Sequence, residues 1–357
     1  MKMQAKVKAL FNEIFIEGLS GMATGLFATL IVGTILTQIG SLIPGVAGQY
    51  LFIIGKIASS ITGAGIGVGV AIRFKESPLV TISAATCGMM GAFASKVIAG
   101  TVLVDGMIQY TGPGEPLGAF IATLAGIYVG RAVSGKTKVD ILITPLCCIT
   151  AGSVVGLIFG PPISNFMMFL GELINIGTQQ QPFLMGILVS VLMGIILTLP
   201  ISSAALGVIL NLSGLAAGAA TVGCCANMVG FAVASFRENK VNGLLAQGLG
   251  TSMLQIGNIV KKPIIWLPAI LTSAILGPVS TLVFKMTNNA TGSGMGTAGL
   301  VGQITTYQVM AAEGDATLVL IKIIVLHFIL PAVLALGISE FMRKKGWILD
   351  GDMKLNV

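Results

Sequence analysis

The sequence predicts an all-α polytopic membrane protein, with about eight full spans plus re-entrant hairpins and about eight to ten transmembrane helices in all. Three observations carry this reading. Of 357 residues, 55% are hydrophobic and only 9% charged, against the ~25% charged usual in soluble proteins. The mean hydropathy is +0.96. Charge-free runs recur between basic clusters, and a hydrocarbon core ~30 Å thick takes about 20 apolar residues per helical crossing. Together these exclude a soluble enzyme, a disordered tail, a coiled coil and a disulfide scaffold. Little chain is left over for a domain that binds ATP or carries out group chemistry, so the chain is expected not to be an enzyme.

The N-terminal stretch MKMQAKVKALFNEIFIEGL has no short apolar run followed by a cleavage site, so it is not expected to be a signal peptide. It reads as an amphipathic helix (1–17) on the inner membrane surface. Residues 18–55 carry no charge and are divided by Pro44-Gly45, which predicts spans at 19–43 and 47–72. Further spans are expected at 77–96, at 116–134 and at 141–160, the last closed by Gly160-Pro161-Pro162, and then at 183–200 between two prolines. No charge occurs between Glu172 and Arg237. Within that run, residues 201–235 suit a re-entrant hairpin, with three short spans in place of span plus hairpin left open, because Gly214, Gly218 and Gly223 accompany Ser202, Ser203 and Asn211. Residues 241–260 have basic clusters at both ends and should lie on the inner face, with Gln247, Thr251, Gln255 and Asn258 forming one wet stripe at helical spacing. Spans at 263–284 and 316–340 complete the membrane domain (18–340), and a basic tail (341–357) follows.

Charge placement sets the expected orientation. With both termini cytoplasmic, 16 of the 20 basic residues fall on the inner side, leaving Lys56, Lys96, Lys285 and Lys322. The net charge of +7 therefore reports topology and contact with membrane lipid headgroups, and no nucleic-acid partner is expected. The five cysteines are odd in number, with two adjacent pairs, and there is one histidine. No disulfide framework, metal site or cofactor is expected. The run from Gly63 to Gly69 lacks the strand–turn–helix of a dinucleotide loop and suits close helix packing instead.

Polar groups at membrane depth are costly unless they line a cavity or find partners. Glu115, flanked by Gly112-Pro113-Gly114 and Pro116, is a carboxylate on rigid, irregular backbone. Asn211, Thr221 and Asn227 sit in the uncharged stretch 201–235, and Asn288, Asn289, Thr291 and Gln303 in the Gly/Thr/Asn-rich stretch 287–303. These neutral donors and acceptors suit the hydroxyls of a carbohydrate better than an ion, so all eight are candidate substrate-binding residues. Lys322 and His327 lie in the final span, and His327 is a possible proton relay. The stretches 201–235 and 286–312 are expected to enclose the solute pocket between them.

VDILITPLCCITAGSVVGLIFGPP (139–162) and PISSAALGVILNLSGLAAGAATVGCCANMVGFAVASF (200–236) resemble the membrane (EIIC) component of bacterial phosphotransferase systems, and more narrowly an EIIC-like subfamily that includes perfringolysin-regulator-type membrane proteins. The resemblance covers roughly residues 10–340. It implies an EIIC-like homodimeric sugar-permease fold in the bacterial plasma membrane, an elevator mechanism, and separate cytoplasmic EIIA and EIIB subunits for phosphoryl transfer. In glucose-type members a Gly-x-x-Glu-Pro motif offers a carboxylate to the sugar. Gly112 to Pro116 matches it, although here the motif precedes the scaffold-like region. The leading expectation is a permease for a small neutral solute, most simply a sugar. The alternatives are a membrane regulator of gene expression descended from such a permease, and a proton-coupled secondary transporter using Glu115 or His327.

Overall fold

The structure, a computed structural model, describes residues 2–110, 112–312 and 314–355, with side chains from residue 7 onward. The ends of the two terminal segments named above thus lie outside the described residues. The chain folds as two compact units, Met1–Phe166 and Met167–Asn356. Regular structure among the described residues is helical except for a two-stranded antiparallel hairpin. Among the described residues six helices are long and apolar enough to cross a membrane, or seven if one bent pair counts as a single span.

In the first unit, α1 is helical without a break from Lys2 to Leu42, with π turns at Glu13–Gly18 and Phe27–Ile31. The expected surface helix is therefore continuous with the first span. The helix stops at Ile43, which is extended (φ −95°, ψ 117°), because a residue before proline is driven out of the helical region. Helices α2 (Val46–Ser60) and α3 (Thr62–Arg73) meet at a 55° bend. Helix α4 (Pro78–Ala92) starts on the Ser77 hydroxyl and a proline in its first turn. After α5 (Ala94–Ile98) come β1 (Leu103–Val104) and β2 (Met107–Ile108), and then α6 (Pro116–Val133). Arg131 of α6 bridges Glu13 of α1 at 2.7 Å and Glu76 at 2.6 Å.

The glycine run in α3 is two interleaved packing faces. Gly63 and Gly67 lie against Gly88 and Ala84 of α4, while Gly65 and Gly69 lie against Gly25 and Gly21 of α1. A Cβ on Gly63 would stand 2.6 Å from the Gly88 carbonyl oxygen, and one on Gly21 2.6 Å from that of Gly69. Residues four apart share a helix face, so spacing of two alternates between neighbours and lets both backbones approach closely.

Helix α7 (Asp140–Thr178) runs for 39 residues through Pro145, Pro161 and Pro162. At ~1.5 Å per residue that is about 58 Å, so the fifth span does not close at Gly160 as expected. Proline's fixed φ is itself helical, and in membrane segments neighbouring groups offset the missing bonds. The Ser95 hydroxyl donates to the Gly160 carbonyl at 3.1 Å, directly before the two prolines.

The second unit is built around α10 (Gly214–Ala234), a 21-residue helix buried along nearly its whole length from Ala217 to Ala234. Beside it pack α8 (Pro182–Thr198) and α13, the helical run Pro263–Phe284. Glycines set these approaches, with Gly186 on Gly277 and Gly223 on Ser190. The stretch 201–235 is not a hairpin of two comparable arms: it is a seven-residue helix, α9 (Ser203–Ile209), a turn, and then α10. Glycine and alanine at close-packing positions let α10 run full length inside the unit, rather than breaking it. The remaining helices are α11 (Phe236–Leu245), α12 (Ile256–Lys261), α14 (Ala290–Ser293), α15 (Val301–Ala311) and α16, the run Ala316–Lys344 with a π turn at Ile324–Ile329.

The expected wet stripe at 241–260 is mostly buried, with only Asn258 partly exposed. Gln247 and Gln255 are fully buried, and residues 246–255 are a π turn and a 3-10 turn rather than one straight helix. The Gln255 amide donates to Gln247 Oε1 at 2.8 Å and to the Met353 carbonyl at 2.9 Å. Asn258 donates to Gln255 Oε1 at 2.8 Å and to the Lys354 carbonyl at 3.0 Å. The polar spacing is real, but its partners are protein groups: Gln247 donates to Ser235 Oγ and the Gly243 carbonyl, while Gln255 and Asn258 hold residues 353 and 354. Met353 and Ile348 enter an apolar cluster with Phe231, Ile259, Ile265 and Met342, and Lys262 pairs with Asp352 at 2.6 Å. The basic tail is thereby docked as far as residue 355.

Candidate functional site

The second unit contains an open cavity of about 410 Å³, within the ~300–1,000 Å³ of small-molecule pockets, with Asn175, Asn211 and Ser213 exposed at its mouth. Its walls come from the end of α7, from Met185 on α8, from residues 210–213 between α9 and α10, and from Leu215 and Ala216 at the start of α10. Among the described residues four of those lining it are polar, namely Asn175, Thr178, Asn211 and Ser213, and none is charged.

Local backbone chemistry explains this turn. Helix α9 ends with Asn211 N–H on the Val208 carbonyl and Leu212 N–H on the Gly207 carbonyl, both at 3.1 Å. Asn211 is left-handed at φ +48°. This is a Schellman cap, with an αL residue followed by an apolar one that packs back on the helix. Leu212 is accordingly buried while Asn211 is exposed. Asparagine is among the few non-glycine residues that adopt this conformation readily, and here it presents an amide to the cavity. Gly214, at φ +57°, then starts α10. Leu215 and Ala216 of its first turn also line the cavity, where amides lack intrahelical partners and can donate to a hydroxyl oxygen.

The other expected site residues fall in several places. Thr221 and Asn288 are buried side by side, with the segment 286–306 folded on α10, and Gln303 is buried farther along against Cys225. The Asn288 amide donates to Thr221 Oγ1 at 2.8 Å and to the Gly302 carbonyl at 3.2 Å, while its Oδ1 accepts from Asn289 N–H at 2.8 Å. Asn289 caps α14, its Oδ1 accepting from Gly292 N–H at 3.0 Å. Thr291 is exposed on α14. The Ser203 hydroxyl donates to the Gly294 carbonyl at 2.7 Å. The stretches 201–235 and 286–312 thus meet through direct hydrogen bonds, and among the described residues none from 286–312 lines the cavity. The reason is that Gly218, Gly294 and Gly296 let the two backbones approach to contact.

Asn227 is the hub of a separate buried network. Its Oδ1 accepts from Trp266 Nε1–H at 2.9 Å and from the Thr198 hydroxyl at 3.2 Å. Its Nδ2 donates to the Gly223 carbonyl at 3.2 Å and to Ser273 Oγ at 3.1 Å. An amide has two donors and two acceptor lone pairs, so all are engaged. His327, fully buried on α16, meets the Gln303 amide at 3.2 Å, and that same amide donates to Cys225 Sγ at 3.3 Å. Glu115 belongs to the first unit. Its N–H donates to the Ala92 carbonyl at 2.8 Å and its half-buried side chain stands at the start of α6, where the helix dipole favours negative charge.

Of the expected residues, Asn211 alone lines the cavity. Asn175 and Thr178 were not among them. Their signal is the polar run Asn175 to Gln181 before Pro182, which also reads as an ordinary loop.

No curated protein matches the chain. A family model described as "Phosphotransferase system, EIIC" matches residues 16–355. With nearly its whole length matched, the chain belongs to the phosphotransferase system EIIC family, the membrane permease components of sugar transport, which work with cytoplasmic EIIA and EIIB components.

Proposed function

We propose that the chain translocates a small neutral sugar, held in the cavity at 175–216 by Asn175, Thr178, Asn211 and Ser213. The observation that carries this reading is the lining itself: amides, hydroxyls and apolar carbons, with no charge among the described residues. Amides and hydroxyls both donate and accept, which matches sugar hydroxyls, while a charged solute would lie there without a counter-charge. All the lining residues belong to Met167–Asn356. That unit can therefore carry a solute by an elevator-like displacement without remaking the pocket walls. The positive-inside bias supports a cytoplasmic position for both termini, and a bacterial plasma membrane is the proposed location. Separate EIIA and EIIB components would phosphorylate the sugar there, and a homodimer is the proposed assembly.

Counterflow into proteoliposomes tests this with radiolabelled neutral hexoses and hexitols beside gluconate and glucosamine. A neutral member should exchange and be weakened by Asn211→Gly, a substitution that keeps the left-handed backbone and removes the amide. Exchange confined to charged members, or indifferent to Asn211→Gly, would refute the reading.

A further inference from the structure

We propose that Asn288 is a positioning residue for the solute pocket: it touches no solute, but fastens the segment that holds the Asn211–Gly214 turn in place. The inference rests on the assignment of that turn to solute binding.

The turn's geometry is demanding. Two left-handed residues, Asn211 (φ +48°) and Gly214 (φ +57°), flank Leu212 and Ser213. The cap of α9 holds its near side. Its far side is held by an isolated antiparallel bridge, in which Asn288 N–H donates to the Gly214 carbonyl at 3.3 Å. A single bridge is weak support, and what keeps residue 288 in register is its own side chain. Asn288 is 1% exposed, and both its amide nitrogen and its carbonyl oxygen are engaged. One face ties it to Thr221, seven residues along α10 from Gly214, and to the Gly302 carbonyl at the start of α15. The other accepts from Asn289 N–H. Thr221 in turn donates to the Ala217 carbonyl at 2.8 Å, so the anchor reaches the same helix whose first turn lines the cavity.

Two glycines make this seating possible. A Cβ on Gly218 would collide with the Met286 carbonyl, and one on Gly292 would stand 2.6 Å from both amide atoms of Asn288. Gly218 therefore provides an independent handle. Adding a methyl there pushes the 286–288 strand off α10 while leaving every hydrogen-bonding group of Asn288 intact.

The test uses the full chain. Ser213→Cys reports the turn through its maleimide labelling rate, measured above the background of the native cysteines. Asn288→Ala and, separately, Gly218→Ala should each raise that rate. Each should also raise the half-saturating concentration of the exchanging neutral sugar by about fivefold, with the maximal rate per folded protein retained, as expected for losing one or two hydrogen-bonded supports. Asn227→Ala, which weakens the same unit without touching the bridge, should change neither reading. Labelling and half-saturation unchanged in Asn288→Ala and Gly218→Ala would overturn the positioning role. So would an equal rise in Asn227→Ala, because that reports general loosening. If Asn211→Gly weakens the sugar and Asn288→Ala does not, the pocket stands and the positioning role falls; indifference to Asn211→Gly overturns both.

Discussion

Asn227→Ala isolates a buried network from the solute site. Asn227 is fully buried and its amide joins α8, α10 and α13 through Thr198, Gly223, Ser273 and Trp266. Hydrogen bonds between membrane helices average ~0.6 kcal/mol, with ~1.7 kcal/mol at the upper end. The losses are unequal. Thr198 keeps its bonds to the Gly194 carbonyl and Ser252, and Ser273 keeps the Ala269 carbonyl. The part-buried Trp266 Nε1–H is left without the acceptor it uses, at a cost of about 1 kcal/mol, the low end of the ~1–3 kcal/mol for an orphaned donor. Adding the void left by the amide gives a total of about 3 kcal/mol. For a unit of this size the melting temperature should fall by about 6–12 °C. Thermal unfolding of the purified chain in detergent, followed by circular dichroism, reads this directly. An unchanged transition would refute the claim that the amide ties these helices together, and a loss of sugar affinity at full stability would return Asn227 to the solute site.

Two further perturbations probe the framework. Met353→Asp places a carboxylate in the apolar cluster around Phe231 and Ile265, at a cost of about 3 kcal/mol or more; hydrogen exchange over residues 346–355 should become fast while α10 stays protected, and unchanged exchange would contradict the docked tail. Gly67→Val drives a branched side chain into the Ala84 carbonyl and should cost at least the ~1–3 kcal/mol of overpacking. Its yield of monodisperse protein in detergent should collapse, and normal yield would contradict the close α3–α4 contact.

The sequence was most legible where proline and charge bracket an apolar run. The expected spans 116–134, 263–284 and 316–340 correspond to Pro116–Val133, Pro263–Phe284 and Ala316–Lys344. It was least legible where a residue type has two physical uses. Pro161-Pro162 reads as a stop, yet proline fits a helix whose neighbours offset its missing bonds. Polar residues at helical spacing read as wet, yet Gln247, Gln255 and Asn258 hold one another and the carbonyls of Met353 and Lys354. In the site, Thr221, Asn227 and Asn288 were singled out because polar side chains at membrane depth need partners. That premise holds, but their partners are protein groups a long way off in sequence. Asn211 was legible for a different reason: the Leu-Asn-Leu-Ser-Gly run carries both an αL cap and a helix start, and a turn of that kind exposes its asparagine.

The most direct test of the central claim is equilibrium binding of the exchanging sugar to the purified full chain, by calorimetry, for the native protein and for Asn211→Gly and Asn175→Ala. If the cavity at 175–216 holds the sugar, each variant should weaken binding by about tenfold, the loss of one or two good hydrogen bonds, with the melting temperature unchanged. Native affinity in both variants would contradict the account.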